Sequence, residues 1–323
     1  MSHKLYVATG EKTVDLTPIV GNISLSSDMD TLGQQLTFEV AYSDVAQLFP
    51  KNPCDLGHLV MLTNGHDELY RGIIVTEDRN GREAIAYTSL DAAFYLNQST
   101  VVYQFNRTVA ANATEAIRKV CRDFGVPIGG ILPLSPVIKK IYLQETPADI
   151  IRDIISQSEK KLGIKIRMEM RAGKLYVEKQ SDLEVSGTFT ATISEPQRRR
   201  TIEEMRNSIQ IVLQGENDSY TVKAKAKDTA LIERYGLLQH TETIEASDIA
   251  KARQVASVRL KELGRVFEDN SVRLLGNDAV RAGRIVALQE PMTGLTGRWL
   301  IRGVHHSITS AGHIMDVRLG VLP

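Results

Sequence analysis

The sequence predicts a β-rich α+β protein in which two similar antiparallel β regions flank a smaller α+β insert. Three observations predict it. Alternating apolar runs fill both ends of the chain. The middle switches to helical spacing. One strand entry is written twice, as "PCDLGHLVML" at 53–62 and "AVRAGRIVAL" at 279–288. The expected segments are a β domain at 1–105, an α+β insert at 106–186 and a second β domain at 187–323, the last with helices near 229–235 and 247–263.

The first segment reads as a meander. "QLTFEVAY" puts Leu36, Phe38, Val40 and Tyr42 on one face at period two, and "NISLS" alternates likewise. "GHLVML" and "LYRGIIV" are joined through Asn64-Gly65, a hairpin signal, and Asn80-Gly81 precedes "REAIAYTSL". The insert opens on an amphipathic helix, with Ile117, Val120, Cys121 and Phe124 on one stripe, Asn112 and Glu115 as a capping pair and Gly125 as the stop. "VPIGGILPLSP" breaks the chain. A second helix follows, with Thr146 as N-cap, Pro147 at the first position, Ile151, Ile154, Ile155 and Leu162 on one side, and Gly163 at its end. "IKIRMEM" and "LYVEK" then form a hairpin about "RAGK", with Met168 and Met170 as core filler.

The last segment returns to strands in "NSIQIVLQ" and "SYTVKAKAK". Asp228 caps a short helix that stops at Gly236. Ser247 is the expected cap of a longer one whose stripe is Ile249, Ala252, Ala256, Leu260 and Leu263. "GRIVAL", "RWLIRGVHHSI" and "HIMDVRLGV" close the chain as strands.

The repeated entry extends further. Gly57 is followed by Arg71-Gly72 and then Gly81; Gly283 is followed by Arg302-Gly303 and then Gly312. The last two steps have equal spacing, 81 − 72 = 9 and 312 − 303 = 9. The reading is that these six glycines are structural turn positions of an internal repeat, where glycine supplies φ > 0 or lets backbone approach. Two similar domains in one chain let three chains present six comparable units.

The chain has 323 residues, 39 basic and 39 acidic side chains and no net charge, which argues against a nucleic-acid binder. No apolar run is long enough to span a bilayer, and "MSHKLYVATG" lacks the apolar region of a secretory signal, so neither membrane insertion nor secretion by that route is expected. Two cysteines, Cys54 and Cys121, do not make a disulfide framework, and Cys121 reads as core.

No catalytic, cofactor or metal site is expected. His305-His306 with His313 invites a metal reading, but strand neighbours point to opposite faces and no carboxylate or cysteine stands at ligand spacing. His58, His66 and His240 are isolated, no nucleophile elbow is present, and Gly129-Gly130 lacks the Lys-Ser/Thr of a phosphate loop. The densest charge run, "QRRRTIEEMR" at 197–206, reads as a solvated linker or, through Arg198, Arg199 and Arg200, as a contact to an acidic patch on a partner.

From Asp228 through "ERYG" to Gly236, and again across Gly283, Trp299, Arg302-Gly303 and His306, the order and spacing resemble the hub proteins of contractile phage tails, in the late-control-protein-like variant of PBSX-type prophages and phage-tail-like bacteriocins. "CDLGHLVML" and the strands after it fit the first hub barrel. The resemblance implies two β-barrels related to the tail-tube subunit and a homotrimeric, pseudo-sixfold ring. That ring would adapt the hexameric tube to the trimeric spike, around a channel for the tape measure. It implies no enzyme and no cofactor. The expected partners are other copies of the chain, the tube protein, the spike protein and other baseplate proteins. Assembly would occur in a bacterial cytoplasm, before release within a phage tail or tailocin. Two other classes compete: a peptidoglycan hydrolase of the same particle, and a monomeric carbohydrate-binding adaptor.

Overall fold

The computed structural model describes residues 3–10, 12–43, 46, 49–79, 81, 84–190, 193–214 and 219–322. The chain divides into two compact units: Met1–Pro196 with Ser271–Pro323, and Gln197–Asn270.

The first unit begins with seven strands, β1 (His3–Thr9), β2 (Lys12–Asp15), β3 (Val20–Asp28), β4 (Gln34–Ala41), β5 (Leu59–Asn64), β6 (Asp67–Asp78) and β7 (Ala84–Asp91). Their alternation decides the buried face: Leu36, Phe38 and Val40 lie inside, together with Leu5, Val7, Val60, Leu62, Tyr70 and Tyr87. Asn64 pairs with Asp67 around a two-residue turn, as the Asn-Gly signal requires. Asn80 lies outside the described residues.

The insert follows as α1 (Ala93–Gln98), β8 (Val101–Phe105), α2 (Ala113–Asp123), β9 (Ile128–Ile131), β10 (Lys140–Glu145), α3 (Pro147–Leu162), β11 (Ile166–Arg171) and β12 (Lys174–Lys179). The Asn112 side chain accepts from the Glu115 amide and Thr146 Oγ1 from the Asp149 amide, so both expected caps form. Ile117, Val120, Cys121, Ile151, Ile154 and Ile155 enter a core shared with Met168 and Met170. Leu162 does not: it is exposed in the last turn of α3.

The remaining strands of the chain are β13 (Glu184–Phe189), β14 (Ser194–Thr201), β15 (Ser208–Gln214), β16 (Tyr220–Lys227), β17 (Gln239–Ile244), β18 (Phe267–Leu275), β19 (Ile285–Glu290), β20 (Leu295–Thr309) and β21 (Gly312–Gly320). The second unit holds α4 (Thr229–Tyr235) and α5 (Ala252–Leu263) with the three-stranded sheet β16-β15-β17. It has its own core of Ile209, Ile211, Ala224, Ala252 and Ala256, against which Leu260 and Leu263 pack. Asp228 caps α4 by accepting from the Leu231 amide. The expected long helix starts as a 3-10 segment, Ala246–Lys251, and Ile249 is exposed. The Ser247 side chain lies outside the described residues. The helices expected in the second β domain thus belong to a separate unit, and the boundary expected at 187 falls within β13.

In the first unit one sheet runs β18-β21-β20-β3-β4-β7-β6-β5-β1-β2, with β19 on β20 and β13 on β19. The long strand β20 joins the two ends of the chain: Leu295–Leu300 pair with β19, and Gly303–Ile308 pair with β3. The molecule is β-rich with several sheets, and among the described residues none closes on itself.

Candidate functional site

Gly57 and Gly283 sit at matching corners. Gly57 N–H donates to Ile74 O, and Ile74 N–H returns a bond to His58 O, at 2.8 and 2.9 Å. Gly283 N–H donates to Ile301 O, and Ile301 N–H returns a bond to Arg284 O, again at 2.8 and 2.9 Å. Their φ values, +80° and +86°, lie in the region that favours glycine. The match continues into the strands: Leu59 pairs with Ile73 as Ile285 pairs with Leu300. A bulge follows in each, between Ile74 and Thr76 and between Ile301 and Gly303.

This register corrects the rest of the expected repeat. With Ile74 equivalent to Ile301, Gly72 matches Trp299 and Gly303 matches Thr76, so the two Arg-Gly steps are not counterparts. Gly72 and Gly303 also lie inside strands rather than at turns. A Cβ on Gly72 would strike the Tyr70 hydroxyl and the Leu90 carbonyl, and one on Gly303 the Arg318 guanidinium and the Asp28 carboxylate. Both are close-approach glycines. Gly81 lies between β6 and β7, whereas Gly312 begins β21 directly after a two-residue turn. Their equal nine-residue spacing therefore starts from unlike positions.

The Gly283 corner is clamped to the insert. Gln180 Nε2 donates to the Gly283 carbonyl. Arg284 forms a bidentate pair with Glu169, at 3.0 and 2.6 Å, and both side chains are about nine-tenths buried. Arg171 Nε reaches the same Glu169 oxygen at 2.8 Å. Arg167 and Arg281 crowd close by; burial pulls both guanidinium pKa values below their ordinary value, and the Glu169 carboxylate opposes the fall. One carboxylate thus holds several cations inside the protein, an arrangement whose failure would leave uncompensated buried charge. Arg167 also donates to the Met29 and Asp28 carbonyls.

Several side chains are exposed. Val102 on β8 stands opposite Leu143 on β10, and with Ile141 they form an apolar strip on the outside of the insert. Arg198 and Arg200 each reach Glu268, and Arg199 reaches Glu203, at 3.2–3.4 Å. These exposed pairs contribute little to stability and leave the run on the surface.

Burial raises both thiols to about 12, with Glu77 adding to the effect at Cys54, so neither is a thiolate nucleophile at neutral pH. His305 and His306 face opposite sides of β20, as the strand period requires. His306 is buried and hydrogen-bonds His313 at 3.0 Å. The fold also brings His3 and Asp278 beside His313, although 275 residues separate His3 from Asp278. Sequence spacing gave no sign of that carboxylate.

The YQBQ-like family model matches residues 23–320. A relative in Bacillus subtilis (strain 168), the phage-like element PBSX protein XkdQ, is 26% identical over 255 residues, covering 77% of each chain. The 43 kDa tail protein of prophage MuSo2 from Shewanella oneidensis shares the fold at a TM-score of 0.74 and 12% identity, over 99% of this chain and 97% of its own. The Escherichia coli c3393 protein, a type VI secretion component described as similar to the T4 tail proteins gp27 and gp5, matches at a TM-score of 0.55 and 12% identity, over 99% of this chain and 77% of its own. With nearly its whole length matched, the chain belongs to the YQBQ-like family.

Proposed function

We propose that this protein is the hub of a contractile-tail baseplate, a homotrimer whose two β regions act as six barrel-like corners and adapt a hexameric tube to a trimeric spike. The observation that carries the reading is the paired corner: Gly57 with Ile74 and His58, and Gly283 with Ile301 and Arg284, make the same hydrogen bonds and lead into the same bulge. A chain that holds one corner twice can meet sixfold and threefold partners at once. An internal duplication accounts for the pair.

Ring closure would cover the edge strands β2 and β13, which otherwise offer unpaired backbone to any passing strand. The insert would face the spike or other baseplate proteins, a reading supported by the apolar strip of Val102, Ile141 and Leu143. Arg198, Arg199 and Arg200 would meet an acidic patch on a partner. The tape measure would occupy the channel. The role is assembly rather than catalysis, first in the bacterial cytoplasm and then within the particle.

Native mass measurement of the pure chain, alone and with its tube and spike partners, tests the reading. A trimer is expected. A lasting monomer at high concentration and in assembled particles would overturn it. Clearing of a cell-wall gel by the pure protein would show hydrolase activity and contradict the purely structural role.

A further inference from the structure

We propose that His3, Asp278 and His313 form a binding site for a late divalent transition metal, best suited to Zn²⁺, which braces the N-terminal strand against the β20–β21 hairpin. His3 Nε2 lies 3.1 Å from Asp278 Oδ1, and His313 Nδ1 lies 3.7 Å from the same oxygen. The three donor atoms fall within 4.8 Å of one another. A tetrahedral Zn²⁺ with bonds of about 2.0–2.1 Å spaces its ligand atoms roughly 3.3 Å apart, so modest inward movement closes the set. Two imidazoles and one carboxylate select a borderline ion over Ca²⁺ or Mg²⁺, which take oxygen donors.

The surrounding hydrogen bonds orient the donors. His306 Nε2 lies 2.9 Å from the Val280 carbonyl, which can only accept, so that nitrogen carries the proton. In the neutral form of that ring Nδ1 is left to accept. That acceptor lies 3.0 Å from His313 Nε2, which must therefore donate. With that proton on Nε2, the neutral form of His313 leaves Nδ1 free to ligate. That nitrogen stands beside the Asp278 carboxylate, whose other oxygen is held by Asn64 Nδ2 at 2.7 Å. The His3 and His313 nitrogens and the shared Asp278 oxygen thus set three metal-ligating donors close together. The chain from His313 through His306 to a backbone carbonyl is also the kind of outer support that fixes the tautomer of a metal-binding histidine.

The side chains of Asp278 and His313 are 24% and 13% exposed, which leaves an entry path for an ion. The ligands come from β1, from the loop between β18 and β19, and from β21. An ion here would tie three separate parts of the first unit together.

The test is Zn²⁺ titration of the untagged, chelator-stripped full chain, by competition with a chromophoric chelator, with Co²⁺ absorption reporting the geometry. About one equivalent per chain is expected, with a tetrahedral Co²⁺ spectrum. Asp278→Asn and His313→Gln should each weaken binding at least 100-fold. His306→Ala should weaken it about 10-fold through loss of orientation. His305→Gln, on the opposite face of β20, should bind as the unmodified chain does. Circular dichroism of the stripped proteins identifies any variant that fails to fold, and His3→Gln then takes its place. The proposal is overturned if the unmodified chain binds no more tightly than these ligand variants, or if His305→Gln loses the metal to the same extent.

Discussion

Gly57 and Gly283 share a backbone conformation but not an environment, and that difference is measurable. A Cβ on Gly57 meets nothing within 4 Å, whereas one on Gly283 would sit 2.5 Å from Arg167 Nε. Gly57→Ala should therefore cost only the left-handed penalty, about 1–2 kcal/mol. Gly283→Ala should cost about 1–3 kcal/mol more, because a buried Arg167 must give up carbonyl partners to make room. Denaturant midpoints compare the two; equal losses would contradict this account of the corner.

Asp91 supplies the pH dependence at the same scale. It is buried, accepts from the Gln34 and Ala93 amides, and burial raises its carboxyl to about 7. An unfolded aspartate releases its proton near pH 3.9, so between about pH 4 and 7 the folded chain holds a proton that the unfolded chain has lost. Stability should then fall as pH rises through that window, by roughly 2–4 kcal/mol in total. Asp91→Asn should remove that slope, whatever its constant cost from one mismatched amide. Urea unfolding at pH 5 and pH 8 decides it; parallel profiles for the two proteins would contradict the assignment. Residues that act locally, such as Asn112, Thr146 and Asp228, were legible in the sequence because their partners lie three residues away. Asp91 was not, since its burial depends on β4 and α1 closing over it.

Among the elements, β20 and the insert carry the organisation. Strand and helix types followed from periodicity, because each face meets its core within a turn or two. The joining of both β regions through β20 and β3 did not, since a strand's pattern does not name its neighbour. Nor did the second unit stand out, because β15 and β16 alternate like any other strands while packing on α5. The insert is held to the Gly283 corner by Glu169. Glu169→Gln should cost about 3–5 kcal/mol, as expected for breaking a buried pair. Arg284→Met should cost less, because it removes one of the cations crowded there while Glu169 keeps Arg171. Thermal or urea unfolding ranks the two, and the reverse order would contradict the charge balance described here.

For the molecule as a whole, the repeated corner was half legible. Glycine at a strand entry is conspicuous in a sequence, and Gly57 and Gly283 both take positive φ. Arg-Gly steps are short enough to recur by chance: Gly72 stands two residues before Ile74, whereas Gly303 stands two after Ile301. The metal reading of His313 was set aside for a related reason: its neighbours His3 and Asp278 come from β1 and a distant loop and leave no spacing in the chain. What remains is a chain of the YQBQ-like family with two corners that make the same backbone hydrogen bonds. A symmetry-resolved image of the assembled particle tests the hub most directly. The account predicts three copies of this chain in one ring, with the Gly57 and Gly283 corners alternating at equal radius beneath a sixfold tube. Six copies in the ring, or corners at different radii, would contradict it.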